Sequence, residues 1–239
     1  MATIQDDAFC IRHWDFSETS QTVSLFGRTH GMIRGLAKGS RRQQGSFSGG
    51  FDLFTRGEII AIQKVGRDLS TLTEWSLHET FPVLRADVQA NRAAWYLADL
   101  IVRFMHHPEP HPKTWDALCH ALQALQAGTP SKLVILAFQW VILDDLGYRP
   151  RLSLGALASE ETVAFDPGSG GVVEDTGNSE RWRVRRTTID LLSTLEQNDG
   201  LVPPDAHEES VVRASKLLGA WVRELTGRES LPMRLVFES

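Results

Sequence analysis

The chain has 239 residues, enough for one large or two small domains around a real core, and 42% of them are hydrophobic. A formal net charge of −5 excludes a uniformly basic nucleic-acid coat. With only Cys10 and Cys119 there is no disulfide framework and no CxxC site, a usage that fits a reducing cytoplasm.

The N-terminus, MATIQDDAF, lacks the basic-then-apolar pattern of a signal peptide. Strands are predicted over 8–12, 21–26, 32–37, 51–63 and 70–77. Apolar Val23 and Leu25, then Met32 and Leu36, stand among polar neighbours with the period of a half-buried strand. Gly27-Arg28-Thr29-His30-Gly31 is a turn between the second and third of these runs. The third run ends in Lys38-Gly39-Ser40-Arg41-Arg42. There a glycine beside three cations lets the backbone approach a partner closely while the cations meet phosphates. Five short strands with loops rich in Gly, Ser and Arg suggest a small closed barrel, and an oligonucleotide-binding or an SH3-like barrel both fit.

Charge is unevenly placed. From Arg28 to Arg67 there are eight cations (Arg28, Arg34, Lys38, Arg41, Arg42, Arg56, Lys64, Arg67) against two anions, Asp52 and Glu58. That local excess steers a polyanion more than the global sum does, the plain alternative being a solvated barrel surface. In the glycine-rich stretch Gly45-Ser46-Phe47-Ser48-Gly49-Gly50, Phe47 is the aromatic expected to stack on a base. The barrel otherwise reads as poor in exposed aromatics, so phosphate contact is expected to dominate.

After Phe81-Pro82 the texture becomes helical. Helices are predicted over 83–106, 114–126, 131–146, 180–197 and 205–225, with Pro108, Pro110 and Pro112 enforcing a link after the first. The run 133–143 is too short for a membrane span and reads as a buried helix. Residues 149–178 carry five glycines and little periodicity, and read as irregular. On the predicted helix 180–197, Arg183 and Arg186 share a face and suggest a second DNA contact, with a solvated helix face as the alternative. His106, His107 and His111 form the one histidine cluster and read as a polar, proline-rich link rather than a metal site. There is no Walker-type phosphate loop, no GxSxG elbow and no HExxH, so no catalytic residue and no enzyme activity are expected.

Glu18, Ser20, Phe26, His30-Gly31, Ala37-Lys38-Gly39 and Arg41-Arg42 resemble the opening of the bacterial recombination mediator family RecO. The likeness continues through Gly66-Arg67-Asp68-Leu69, Tyr96-Leu97-Ala98-Asp99-Leu100, Asp145-Leu146-Gly147-Tyr148-Arg149-Pro150 and Arg223-Glu224-Leu225-Thr226-Gly227-Arg228. It implies an α+β fold, with a five-stranded OB-fold barrel over 1–80 and an all-helical domain over 81–239. Many RecO-like proteins carry a four-cysteine zinc site in the segment corresponding to 149–178. Here the matching positions are Gly155, Ala158, Glu174 and Gly177, so the resemblance implies a cysteine-less, zinc-ribbon-like insertion with no metal and no other cofactor.

The resemblance further implies a recombination mediator of the bacterial cytoplasm, associated with the nucleoid. Such a protein binds single- and double-stranded DNA, anneals complementary strands, and helps load recombinase onto strands covered by single-stranded-DNA-binding protein. Its partners would be RecR and the C-terminal tail of that binding protein, with no membrane. The expected DNA-binding residues are Arg28, Arg34, Lys38, Arg41, Arg42, Lys64 and Arg67, with Arg183 and Arg186 as the second contact. Two rival readings are a divergent partner-binding adaptor with weak DNA binding and an unrecognised nuclease or hydrolase.

Overall fold

The computed structural model describes residues 2–42, 46–47, 49–63, 66, 69–157 and 159–238. Five strands come first: β1 (Ala2–Asp15), β2 (Gln21–Gly27), β3 (Gly31–Ala37), β4 (Arg56–Gln63) and β5 (Ser70–Glu79). They close into a barrel of order β1-β2-β3-β5-β4. The closure depends on the length of β1. Its first half, from Ala2 to Phe9, pairs with β4, and its second half, from Ala8 to Asp15, pairs with β2. The register shifts between Cys10 and Arg12, a bulge that bends the strand from one partner to the other. β3 and β5 run parallel over Gly35↔Ser70, Leu36↔Thr71 and Ala37↔Leu72. That parallel seam makes the barrel an OB-fold and not an up-and-down meander.

The barrel core holds Ile4, Ala8, Cys10, Val23, Leu25, Ile33, Ile59 and Leu72, the inward residues of the alternating strands. One end is plugged by aromatics: Phe47 lies 5.9 Å from Phe51, and Phe51 lies 4.9 Å from Trp75. The fourth strand starts later than its apolar run suggests. Residues 52–55 form a turn in which Thr55 Oγ1 donates to the Asp52 carbonyl at 2.6 Å and Phe54 takes a positive φ of 60°.

The expected long helix 83–106 is two helices, α1 (Val83–Ala86) and α2 (Val88–Phe104), separated by extended Asp87. Aspartate favours that position before a helix because its carboxylate satisfies orphan N–H groups. There follow α3 (Pro112–Gln126), α4 (Ser131–Asp145), a single 3-10 turn (Gly155–Leu157), β6 (Thr162–Asp166), β7 (Gly171–Val173), β8 (Trp182–Arg185), α5 (Arg186–Gln197), α6 (Glu208–Thr226) and α7 (Leu231–Phe237). No helix among the described residues is long and apolar enough to cross a membrane.

The chain forms two compact units, Met1–Asp87 with Ile101–Gln126, and Val88–Leu100 with Ala127–Ser239. Helix α3 thus belongs with the barrel. Its Trp115 packs on Phe9 at 5.3 Å, and the Arg56 guanidinium, ion-paired to Asp7 at 2.6 Å and Glu79 at 3.3 Å, lies 5.1 Å over the same indole. In the second unit α4 is buried, and its Gln139 donates to the Tyr96 hydroxyl at 2.8 Å and to the Ser215 carbonyl at 3.2 Å.

That second unit is not all helix. The segment expected to be irregular carries β6 and β7, which β8, just beyond it, completes into a three-stranded sheet of order β7-β6-β8. It holds together around Phe165, stacked on Trp182 at 5.4 Å and edge-on to Trp221 at 5.6 Å, while Trp221 Nε1 donates to the Tyr148 carbonyl at 2.9 Å. Apolar packing occupies the centre of this sheet. Of the four matching positions, Gly155 and Gly177 carry no ligating side chain, Glu174 carries one carboxylate, and Ala158 lies outside the described residues.

Candidate nucleic-acid interface

The loop after β3 is tied to the β1–β2 connection by a set of buried polar contacts. Gln21, at the start of β2, is the centre of it. Its Nε2 donates to the Phe51 carbonyl at 3.0 Å, and its Oε1 accepts from Phe51 N and from Ser40 Oγ, each at 3.0 Å. Ser20 Oγ accepts from Gly39 N at 3.1 Å, and Arg41 N donates to the Thr19 carbonyl at 3.1 Å. Gly39 has φ +72°, a left-handed conformation that suits glycine, and Arg42 N closes the turn onto its carbonyl at 3.1 Å. Lys38, Arg41 and Arg42 therefore leave a short turn whose backbone is held, and all three are exposed. Arg41 reaches Asp15 at 2.5 Å. Beside it, burial together with the Arg41 charge lowers the affinity of His13 for a proton, against the pull of Asp15.

The other expected site residues do not all join this turn. Arg34 is exposed on the outer face of β3 and stands opposite Ser24, which stands opposite Arg12 on β1. Two cations thus flank one serine across three strands. Arg12 escaped the sequence reading because the neighbour that gives it meaning lies two strands away.

Arg28 sits at the other end of the β2–β3 hairpin, a seven-residue strand or roughly 23 Å from Lys38. It is engaged there, donating through Nε and a terminal nitrogen to Asp116 at 3.1 and 3.0 Å, with its guanidinium 5.7 Å over Trp115. Its hairpin turn is built around buried Asp6, which accepts from Thr29 N at 3.1 Å and His30 N at 2.8 Å. A side chain at Gly31 would meet the Glu109 carbonyl oxygen at 2.0 Å, which explains the glycine. Arg28 thus serves the packing of α3 on the barrel. Lys64 and Arg67 lie outside the described residues.

The aromatics also change places. Phe47, expected to stack on a base, is 7% exposed inside the barrel plug. Trp14 at 51% and Phe16 at 64% are exposed instead, at the end of β1 beside the cationic turn.

The run from Arg181 to Arg186, expected to lie on a helix, is not helical throughout. Trp182 and Val184 alternate with Arg183 and Arg185 in β8, paired with β6 at Phe165↔Trp182 and Val163↔Val184. The helix begins only at Arg186. Arg183 and Arg186 therefore share no helical face. Arg183 is paired with Asp175 at 2.9 Å and Arg186 with Asp190 at 3.5 Å. Among the described residues, no three His, Cys, Asp or Glu side chains converge as a metal site.

Fold and rim together define a small OB-fold barrel with cations and aromatics on one outer face and its edge, the region where such barrels take extended chains. The Recombination protein O N terminal family model matches residues 1–81, and the Recombination protein O C terminal model matches residues 85–234. The DNA repair protein RecO of Roseiflexus sp. (strain RS-1) is 29% identical over 240 residues, covering 97% of this chain and 83% of that protein. That of Desulfitobacterium hafniense (strain DSM 10664 / DCB-2) is 31% identical over 177 residues, 72% of this chain and 64% of that protein. That of Rhodopirellula baltica is 29% identical over 196 residues, 80% and 73% respectively. The chain belongs to the recombination protein O family.

Proposed function

We propose that this chain is a DNA-repair protein that captures DNA strands electrostatically on its barrel, anneals complementary strands, and helps place recombinase on strands covered by single-stranded-DNA-binding protein. The observation that carries the DNA contact is the held turn presenting Lys38, Arg41 and Arg42 beside the outer-face pair Arg12 and Arg34. A backbone fixed before binding spends little entropy when the cations engage phosphates. Each phosphate neutralised releases condensed counterions, so binding is insensitive to sequence and falls steeply with salt. Family membership and the names of the relatives support the repair role. RecR and the acidic tail of the single-stranded-DNA-binding protein are the partners the family likeness brings. The chemistry asked of the protein is non-covalent, with no cofactor.

The test is fluorescence anisotropy of labelled single strands and duplexes against salt, followed by annealing of complementary strands with added magnesium. Salt-dependent binding with faster annealing and intact DNA is the expected result. Partner binding without DNA binding at 50 mM salt would replace the proposal by the adaptor reading. Magnesium-dependent cleavage would replace it by the nuclease reading.

A further inference from the structure

We infer that Trp14 and Phe16 form a base-stacking platform for single-stranded nucleic acid, with Arg12 and Arg34 holding the phosphates on the same outer face. The inference rests on the proposed DNA-binding role and adds to it a preference for unpaired bases.

The register places the residues. Val23, Leu25 and Ile33 point into the barrel, so their neighbours Thr22, Ser24 and Arg34 point out. Across the strands, Arg12↔Ser24↔Arg34 makes one outer row and Trp14↔Thr22↔Leu36↔Thr71 the next. Phe16 N donates to the Ser20 carbonyl at 2.9 Å, one pair beyond Asp15↔Gln21, which continues the alternation and keeps Phe16 on the side of Trp14. Along β1 the outer face therefore reads Arg12, Trp14, Phe16.

In this unit Phe9, Phe26, Phe47, Phe51, Phe54, Trp75 and Trp115 are all below 9% exposed, and Phe104 is half-buried. The fold thus had room to cover rings and leaves these two at 51% and 64%. Exposed rings beside cations fit a ligand with flat apolar faces on a negatively charged backbone. Arg12 and Arg34 stand in the row next to that of Trp14, and Arg41, in one turn with Lys38 and Arg42, reaches Asp15 between the two rings; the anions there are Asp15, already held by Arg41, and exposed Glu18. This balance selects a polyanion over an apolar protein surface. Duplex bases are stacked on one another, so only unpaired bases can use the rings.

The test uses the full chain with W14A, F16A, the double substitution, and the conservative W14F with F16Y. The probes are an oligothymidylate, an abasic oligonucleotide of the same length, and a duplex. Melting temperature is measured alongside, and both side chains are exposed enough for alanine to be tolerated. Each lost stacking contact should weaken oligothymidylate binding by about 5- to 160-fold. The salt slope, the abasic affinity and the duplex affinity should stay as they are, and W14F with F16Y should restore binding. Equal binding of abasic and thymidylate strands by the unsubstituted protein overturns the inference and leaves the DNA-binding role standing. So does an equal loss on all three probes, or a dimer that dissociates on substitution, which would show a second copy covering the rings. Absence of binding to any probe defeats the DNA-binding role itself.

Discussion

Replacing Lys38, Arg41 and Arg42 together by Ala separates DNA capture from folding. The turn that carries them is held by Gly39 N on Ser20, Ser40 Oγ on Gln21 and Arg41 N on Thr19, none of which involves the cationic groups. The substitution removes one ion pair, Arg41 with Asp15, whose side chains are 39% and 61% exposed. An exposed pair contributes about 0–1 kcal/mol, so the melting temperature should move by no more than about 4 °C. For single strands each phosphate contact contributes about −0.7 to the slope of log affinity against log salt. Lys38 and Arg42 have no ion-pair partner among the described residues and bring their full share, while Arg41 must exchange Asp15 for phosphate. The slope should therefore flatten by about 1.4 to 2.1. Between 50 and 200 mM salt the loss relative to the unsubstituted protein should shrink by about 7- to 18-fold. Anisotropy titrations of two unrelated oligonucleotides across that range measure it, and both should respond alike. R28A is the control. Its partners are Asp116 and Trp115 at the far end of the hairpin, so it should leave the slope alone. An unchanged slope in a triple variant that melts normally would show that this turn is merely solvated.

Phe47→Ala should cost about 3–5 kcal/mol by opening the barrel plug, lowering the melting temperature by roughly 10 °C, while the salt slope of whatever remains folded stays the same. A neutral effect on stability with a loss of DNA affinity would return Phe47 to the stacking role. Burial pushes the Cys10 thiol well above its ordinary value and raises Cys119 too, the latter against the opposing charge of Arg56. Both thiols should therefore resist alkylation at pH 8 in the folded protein and react on unfolding, and rapid labelling of either in the native state would contradict this burial. The purified protein should contain no stoichiometric zinc, and chelator should leave its melting curve unchanged; about one zinc per chain by elemental analysis would overturn the expectation.

Much of the barrel was legible locally. Residues 21–26 and 32–37 alternate, Gly39 punctuates the cationic turn, and both strands lie where the pattern puts them. The order and spacing of short motifs carried the family. The alternation of Trp182, Arg183, Val184 and Arg185 was also present, but four arginines in six residues read as a helix face until β6 supplied the partner strand.

What the sequence could not determine is which side of the barrel a residue meets. Phe16 and Phe47 are the same residue type in polar surroundings, yet one ends at 64% exposure and the other at 7%. The difference comes from where the β1–β2 ladder ends and from a plug that brings Phe47 to Phe51 and Trp75. Arg28 and Arg34 read as equals in a basic run. An aspartate 88 residues along the chain takes one of them, while the register of β1 on β2 on β3 sets the other beside Arg12. Composition and period report a residue's own preference and that of its neighbours. Partners across a closed sheet are set by bulge, register and closure, and those are properties of the whole barrel.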